Sequence, residues 1–236
     1  MTHALYGPDL AQVHDLAFGG WAREAAPFVL ARLREAGIED GLVVDLGCGS
    51  GIWAAELLGA GYEVLGVDAS DEMLELARRR APGAELRQGS LHEVGLPPCA
   101  AITAIGECVN YGGPPTLELL FRHVHAALEP DGLLVFDAAA PGREPELRRR
   151  ARHEGDGWVM RLEVSENREG RTLMRRISLV RDGRTSEEVH VLRLYERDEV
   201  VEWLETGGFD VTCHPSYGAA RRLPGVHVYV ATRRQR

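Results

Sequence analysis

One feature constrains this chain more than any other: an apolar strand running into glycines, then a second apolar strand ending in a carboxylate. The first strand and turn read Val43-Val44-Asp45-Leu46-Gly47-Cys48-Gly49-Ser50-Gly51, and the second strand reads Val64-Leu65-Gly66-Val67-Asp68. Glycines at 47, 49 and 51 permit a tight turn and a close approach of backbone to ligand. Asp68 stands 23 residues after Asp45, at the tip of the second strand. A carboxylate there can accept two hydrogen bonds at once, which suits a ribose diol. In open α/β sheets, ligands sit outside the carboxyl ends of the strands.

The glycine spacing separates two kinds of nucleotide ligand. A dinucleotide fingerprint is G-x-G-x-x-G/A, whereas this chain has glycine at the fifth position and Ile52 at the sixth. The run D-x-G-x-G-x-G with Asp68 downstream resembles the class I S-adenosylmethionine-dependent methyltransferases of the small-molecule type. The resemblance implies S-adenosyl-L-methionine as cofactor and S-adenosyl-L-homocysteine as product. It also implies a seven-stranded Rossmann-like sheet with helices on both faces, covering roughly residues 40–140 and 196–233.

Strands alternate with helices at βαβ spacing up to Asp137, which predicts a parallel sheet. Before it, residues 9–36 read as helical with a break at Gly19-Gly20. Ser70-Asp71-Glu72 has the capping and acidic residues of a helix start, and the helix runs to Arg80. After Pro141 the period changes. Trp158, Met160, Leu162 and Val164 alternate with polar neighbours, as do Leu173, Ile177 and Leu179 in part, then His190, Leu192 and Leu194. We read three inserted antiparallel strands. The expected organisation is a helical lid over 1–37, a cofactor-binding core over 38–140 and 196–236, and an inserted substrate-cover sheet over 141–195.

By resemblance, Asp45 orders the glycine loop near the cofactor's amino group, and Gly47, Cys48 and Gly49 form that loop. Asp68 holds the ribose, with Ala69 and Met73 flanking the adenine. Gly89, Ser90 and Leu91 occupy the place that faces the adenine amino group, although Ser90 stands where the family often has an acid. Gly106 and Glu107 end the fourth strand beside the methyl position. Glu107 is a candidate to hold a cationic amine or accept a proton, and the alternatives are a structural cap on the helix dipole or a hydrogen bond to the cofactor's methionine tail. Asn110 and Tyr111 are candidates for the acceptor pocket. Tyr6, Phe18 and Trp21 are candidates to close over the sulfonium, which gains from an aromatic face. His14 is a candidate general base, weighed against a packed or surface histidine.

The run that nucleobase amino methyltransferases carry after the fourth strand, Asn/Asp-Pro-Pro-aromatic, is missing. A formal charge of −9 also argues against nonspecific nucleic-acid binding. The arginine clusters at 78–80 and 148–150 read as solvated faces of helices. No segment has the roughly 18 apolar residues of a membrane span, and no signal segment stands at the N-terminus. Four dispersed cysteines without metal-ligand spacing fit a reduced, cytoplasmic protein and no metal. The expected function is methyl transfer to nitrogen or oxygen of a small-molecule acceptor. A protein or peptide methyltransferase, a noncatalytic S-adenosylmethionine-binding module and, less favoured because of Ile52, a nicotinamide oxidoreductase are the alternatives. The inserted sheet either roofs the acceptor pocket or packs on a second subunit in a homodimer.

Overall fold

A computed structural model describes residues 5–112, 114–142, 150–220 and 222–235. Two helices, α1 (Pro8–Phe18) and α2 (Gly20–Glu35), precede β1 (Leu42–Leu46). The alternating part continues through α3 (Ile52–Gly59), β2 (Glu63–Asp68), α4 (Asp71–Arg80), β3 (Glu85–Gln88) and β4 (Cys99–Ala104). A 3-10 turn (Cys108–Tyr111), α5 (Pro114–Ala127) and β5 (Leu128–Ala139) complete it. After the insertion come α6 (Arg197–Thr206), β10 (Phe209–His214) and β11 (Val226–Arg233).

The main sheet has the order β10-β11-β5-β4-β1-β2-β3. Strands β1 to β5 are parallel, and β11 pairs antiparallel to both β5 and β10. The expected seven-stranded sheet is therefore present. The order reverses between β1 and β4, which opens a crevice at their carboxyl ends. Successive strand residues face opposite layers. Val44 and Leu46 pack with Phe121, Phe136 and Leu204 beneath α5 and α6. Val43 packs on the other face with Val29, Leu33, Trp53 and Leu57 of α2 and α3. Asp45 faces that second layer by the same alternation, so it is only 2% exposed.

Helix α4 is amphipathic, with Met73, Leu74 and Ala77 buried. Its start is as expected: Ser70 caps it by accepting from the Met73 amide at 3.1 Å. Acids in its first turn and arginines in its last oppose the ends of the helix dipole. Arg80 departs from the expected solvated face, since it reaches back to α1 and the glycine loop.

The insertion holds four strands rather than three: β6 (Arg150–Gly155), β7 (Trp158–Asn167), β8 (Thr172–Arg181) and β9 (Arg184–Arg193), all antiparallel. Strand β6 was missed because it is an edge strand with no buried face, so no apolar alternation marks it. Arg150 opens this strand and pairs with Glu163 across the ladder at 3.0 Å, which corrects its assignment to a helix; Arg148 and Arg149 lie outside the described residues. The inner face of the small sheet is buried within the same chain. Met160, Ile177 and Leu179 pack on Leu10 and Val13 of α1.

Candidate functional site

The crevice is a cavity of about 880 Å³. Its floor is the loop after β1, the tips of β2 and β4, and the turn after β3. Its cover is residues 5–24 and the inner face of the small sheet. The lining brings together Tyr6, His14, Phe18, Trp21, Asp45, Gly47, Cys48, Gly49, Asp68, Ala69, Met73, Gly89, Ser90, Leu91, Gly106, Glu107 and Tyr111. Asn110 is the exception among the residues singled out. It is fully buried and spends its amide on the Ala139 backbone and the Arg193 carbonyl, tying the turn after β4 to β5 and β9.

The three glycines of the first loop do different work. A Cβ at Gly47 would stand 2.7 Å from Cys108 Cβ, and one at Gly51 2.9 Å from the Ala77 backbone. Those two therefore serve close packing of the loop on the β4 turn and on α4. Gly49 has φ +52 and open space before it, and Gly89 and Gly106 likewise face no protein atom. This bare backbone is where a ligand can approach.

Asp68 accepts from the Gly49 amide at 2.8 Å and the Ser70 amide at 2.9 Å. Burial pushes its carboxyl up, and these backbone bonds pull against that push without cancelling it. Asp45 lies opposite Thr103 in the β1–β4 ladder and accepts from its hydroxyl at 3.0 Å. Thr103 in turn accepts from the Trp53 indole at 3.0 Å. Burial drives Asp45 up to about 7 despite the Thr103 bond, with Asp68 nearby adding to the rise.

Glu107 has φ +61 and is 5% exposed. The loop is held in this conformation by Asp137, at the end of β5. Its carboxylate accepts from the Gly106 amide at 3.1 Å, from the Glu107 amide, from Tyr217 at 3.0 Å and from the Trp21 indole at 3.4 Å. Burial pushes Asp137 up to about 6. The Glu107 side chain pairs with Arg175 of β8. Burial opposes that guanidinium's charge, and Glu107 outweighs the burial, so Arg175 stays charged.

His14 packs edge-on to Tyr6 at 4.9 Å. Burial, with Arg175 and His190 close by, lowers it to about 4. It is a neutral imidazole near neutral pH and a weak proton acceptor. Two residues of the cleft wall, Arg175 and His190, escaped the sequence reading, as did Asp137, which is fully buried behind the loop it anchors. Asp137 carried a signal, because it ends a parallel strand where ligands and loop anchors gather. Arg175 and His190 share the faces of the apolar alternations at 173–179 and 190–194, and that was their one signal; which cleft groups they meet only the fold reveals.

The residues fit an adenosyl cofactor with a charged amino-acid tail. Asp68 and Ala69 stand at the β2 tip, Gly49 and Gly89 leave bare backbone, and buried Asp45 offers a carboxylate to a cation. Fold and cleft together define an α/β enzyme that binds a nucleoside cofactor at the switch point of its sheet.

Residues 43–132 match the family described as "Methyltransferase domain". The chain is 32% identical over 198 residues to a dTDP-3-amino-3,4,6-trideoxy-alpha-D-glucopyranose N,N-dimethyltransferase of Streptomyces venezuelae, covering 79% of this chain and 76% of that protein. Among solved structures, it resembles an S-adenosylmethionine-dependent methyltransferase from Clostridium acetobutylicum with TM-score 0.82 and 20% identity, covering 95% and 98% of the two chains. It also resembles the S-adenosylmethionine-bound amino pentose methyltransferase of Micromonospora echinaspora, with TM-score 0.76 and 25% identity over 94% and 97%. The chain belongs to the class I S-adenosylmethionine-dependent methyltransferases. S-adenosylmethionine is its cofactor and methyl transfer its activity.

Proposed function

We propose that the acceptor is the amino group of a small polar molecule of the amino-sugar class. One observation carries this reading. Beside the glycine loop, the cleft wall presents hydrogen-bond acceptors and no uncompensated cation among the described residues: the Tyr6 and Tyr111 hydroxyls, neutral His14, and the Glu107 carboxylate, with Arg175 balanced by Glu107. Such a wall attracts N–H groups and does not repel an amine that arrives charged. Two of the relatives named above act on amino sugars by their descriptions, which supports the reading.

Asp45, Asp68 and the loop at Gly47, Cys48 and Gly49 would hold the cofactor, with Met73, Ser90 and Leu91 against its base. When bound, it supplies an activated methyl on a sulfonium. The chain's own part is then to hold the acceptor nitrogen in line and keep water out, which α1 and the small sheet do by covering the cleft. Tyr6, Phe18 and Trp21 would face the sulfonium. Net charge of −9 disfavours a nucleic-acid acceptor, and free Cys48, Cys99, Cys108 and Cys213 suit the reducing cytoplasm. No helix among the described residues is long and apolar enough to cross a membrane.

The test is a labelled-methyl assay on 3-amino and 4-amino sugars, free and as nucleoside diphosphates, beside their hydroxyl analogues. N-methylated product from the amines is the expected result. Label entering only the hydroxyl analogues would refute the amine assignment.

A further inference from the structure

The cleft wall formed by the 3-10 turn and β9 holds a line of polar groups that the cofactor residues leave unused. His190 on β9 is 1% exposed. Its Nε2 lies 2.9 Å from Glu188 Oε2 and its Nδ1 lies 3.0 Å from the Tyr111 hydroxyl. Glu188 and His190 are alternate residues of one strand and so share a face. The Glu188 carboxylate also accepts from the Tyr6 amide at 2.8 Å and the Gly7 amide at 2.9 Å, so its lone pairs are aimed by the chain entering α1.

An ionised carboxylate only accepts. The ring nitrogen facing it, Nε2, therefore carries the hydrogen, and Nδ1 is left as an acceptor. Tyr111 then donates to Nδ1, and its oxygen keeps lone pairs for the cleft and for the Tyr6 hydroxyl, 3.3 Å away. The donors run in one direction, from the cleft through Tyr111 and His190 to Glu188.

We propose that Tyr111, His190 and Glu188 form a relay that draws the proton from the methyl acceptor. Tyr111 touches the acceptor, while His190 and Glu188 are positioning residues that act through it. This rests on the reading that the acceptor reacts through an N–H group, and the same relay serves an O–H. The acceptor lone pair forms the bond to the methyl carbon, and the departing pair stays on the donor's sulfur. The acceptor's N–H bond breaks with its electrons left on nitrogen. Its proton passes to the Tyr111 oxygen as the phenol's own proton passes to His190 Nδ1. The imidazolium so formed lies against the Glu188 carboxylate. The proton returns through Tyr111 to water when product leaves.

The charged and titratable groups around His190 come from β8, β9, the 3-10 turn and the chain entering α1. Arg175 is its cross-strand partner on β8 and is neutralised by Glu107. Tyr6 packs edge-on at 4.8 Å, and His14 lies behind it. Tyr111 from the 3-10 turn and Glu188 on its own strand complete the shell.

Two measurements on the full chain test the relay. Histidine-selective ¹⁵N NMR of the protein without added cofactor is expected to show His190 as the Nε2–H tautomer, with its Nδ1 signal shifting in Tyr111→Phe. An Nδ1–H tautomer, or no response to Tyr111→Phe, overturns the proposal. In kinetics, His190→Gln keeps a bonding side chain that takes no proton. It should lower kcat by about 100-fold at pH 7, the usual scale of a lost general base. KM and S-adenosylmethionine affinity should hold within about threefold, and the loss should shrink toward high pH as hydroxide replaces the relay. A loss equal at every pH marks a merely structural role and overturns the proposal, as does an unchanged kcat. Both kinetic arms use whichever acceptor the wild type methylates. A wrong amine assignment appears in the wild-type column, and a wrong relay appears in the variant column.

Discussion

Arg80 of α4 holds Asp15 of α1 in a two-armed bond, Nη1 to Oδ1 and Nη2 to Oδ2, each at 2.8 Å. The same guanidinium donates to the Ser50 carbonyl at 2.6 Å, and the Ser50 hydroxyl donates to Asp15. Burial pushes the Asp15 carboxyl up, but Arg80 and Ser50 pull it down further, so it stays ionised. One arginine thus fastens the covering helix to the glycine loop over which it sits.

Arg80→Met keeps most of the apolar stem and removes the clamp. Hydrogen bonds to charged groups are worth about 1.5–3 kcal/mol each, less where water screens them. We expect S-adenosylmethionine affinity to fall about tenfold, the equivalent of about 1.4 kcal/mol. Calorimetry at low and high salt checks this, and the wild type should lose part of the same difference as salt rises. Equal affinity in the two proteins would show that α1 closes without the clamp.

A second prediction concerns Asp45. A carboxyl raised to about 7 in the fold and near 4 unfolded favours the folded state only while protonated. Its contribution is complete below pH 4 and is lost as pH climbs to 7 and beyond. Asp137, raised to about 6, adds a loss of the same sign. Asp45→Asn should therefore leave stability unchanged near pH 4 and raise that of the ligand-free protein by on the order of 2 kcal/mol at pH 8. It should also weaken cofactor binding at pH 8, where the native carboxylate offers its charge. Thermal melts across pH decide it: a destabilised Asp45→Asn at pH 8 contradicts the raised carboxyl.

The cofactor was legible in sequence because the signature that points to it is local. A strand, a glycine turn and a strand-end acid lie within 26 residues, from Val43 to Asp68; the alternation of strands and helices implied a parallel sheet, and the family resemblance supplied its seven strands. The opposite wall was not legible. Arg175 meets Glu107 across 68 residues of chain, and His190 meets Tyr111 across 79. No spacing rule links such residues, and the register of the small sheet alone decides which cleft groups they meet. Arg80 was read as solvated for the same reason, because its partner Asp15 lies 65 residues away. Strand β6 hid behind charge. The Asp156-Gly157 turn that follows it was the one local signal for its hairpin.

The loop glycines give a third prediction. Gly47 has φ +71, and its added Cβ would meet Cys108 Cβ at 2.7 Å. Gly47→Val adds a branched side chain where left-handed backbone and a packed neighbour both exclude it. The primary effect should be on the fold, a loss of about 2 kcal/mol or more in ligand-free stability. Asp68→Ala is the contrast. It should keep most of the stability and lose at least about tenfold in cofactor affinity if the carboxylate holds the ribose as proposed, since its charge-assisted bonds would be removed. Denaturant unfolding and calorimetry on the pair separate the two. If Gly47→Val unfolds like the wild type while failing to bind, the glycine serves the ligand directly.

The last prediction separates cover from cofactor. Ile177 on β8 and Met160 on β7 face Leu10 and Val13 of α1, and both line the cavity. Ile177 is 8% exposed and Met160 1%, so Ile177 touches the open space more. Asp68 and the glycine loop lie on the floor of the same cavity, so shortening Ile177 should not disturb them. Ile177→Ala leaves room for about three methyl or methylene groups and should cost about 2–4 kcal/mol of stability. The acceptor KM should rise about tenfold through lost contact, with bulkier amines accepted better than before, while cofactor affinity holds within about twofold. If cofactor affinity instead falls in step with the acceptor KM, the small sheet works by holding α1 down over the cofactor, not by shaping the acceptor chamber. Met160→Ala, deeper in the α1 contact, would then be expected to weaken cofactor binding more than Ile177→Ala does.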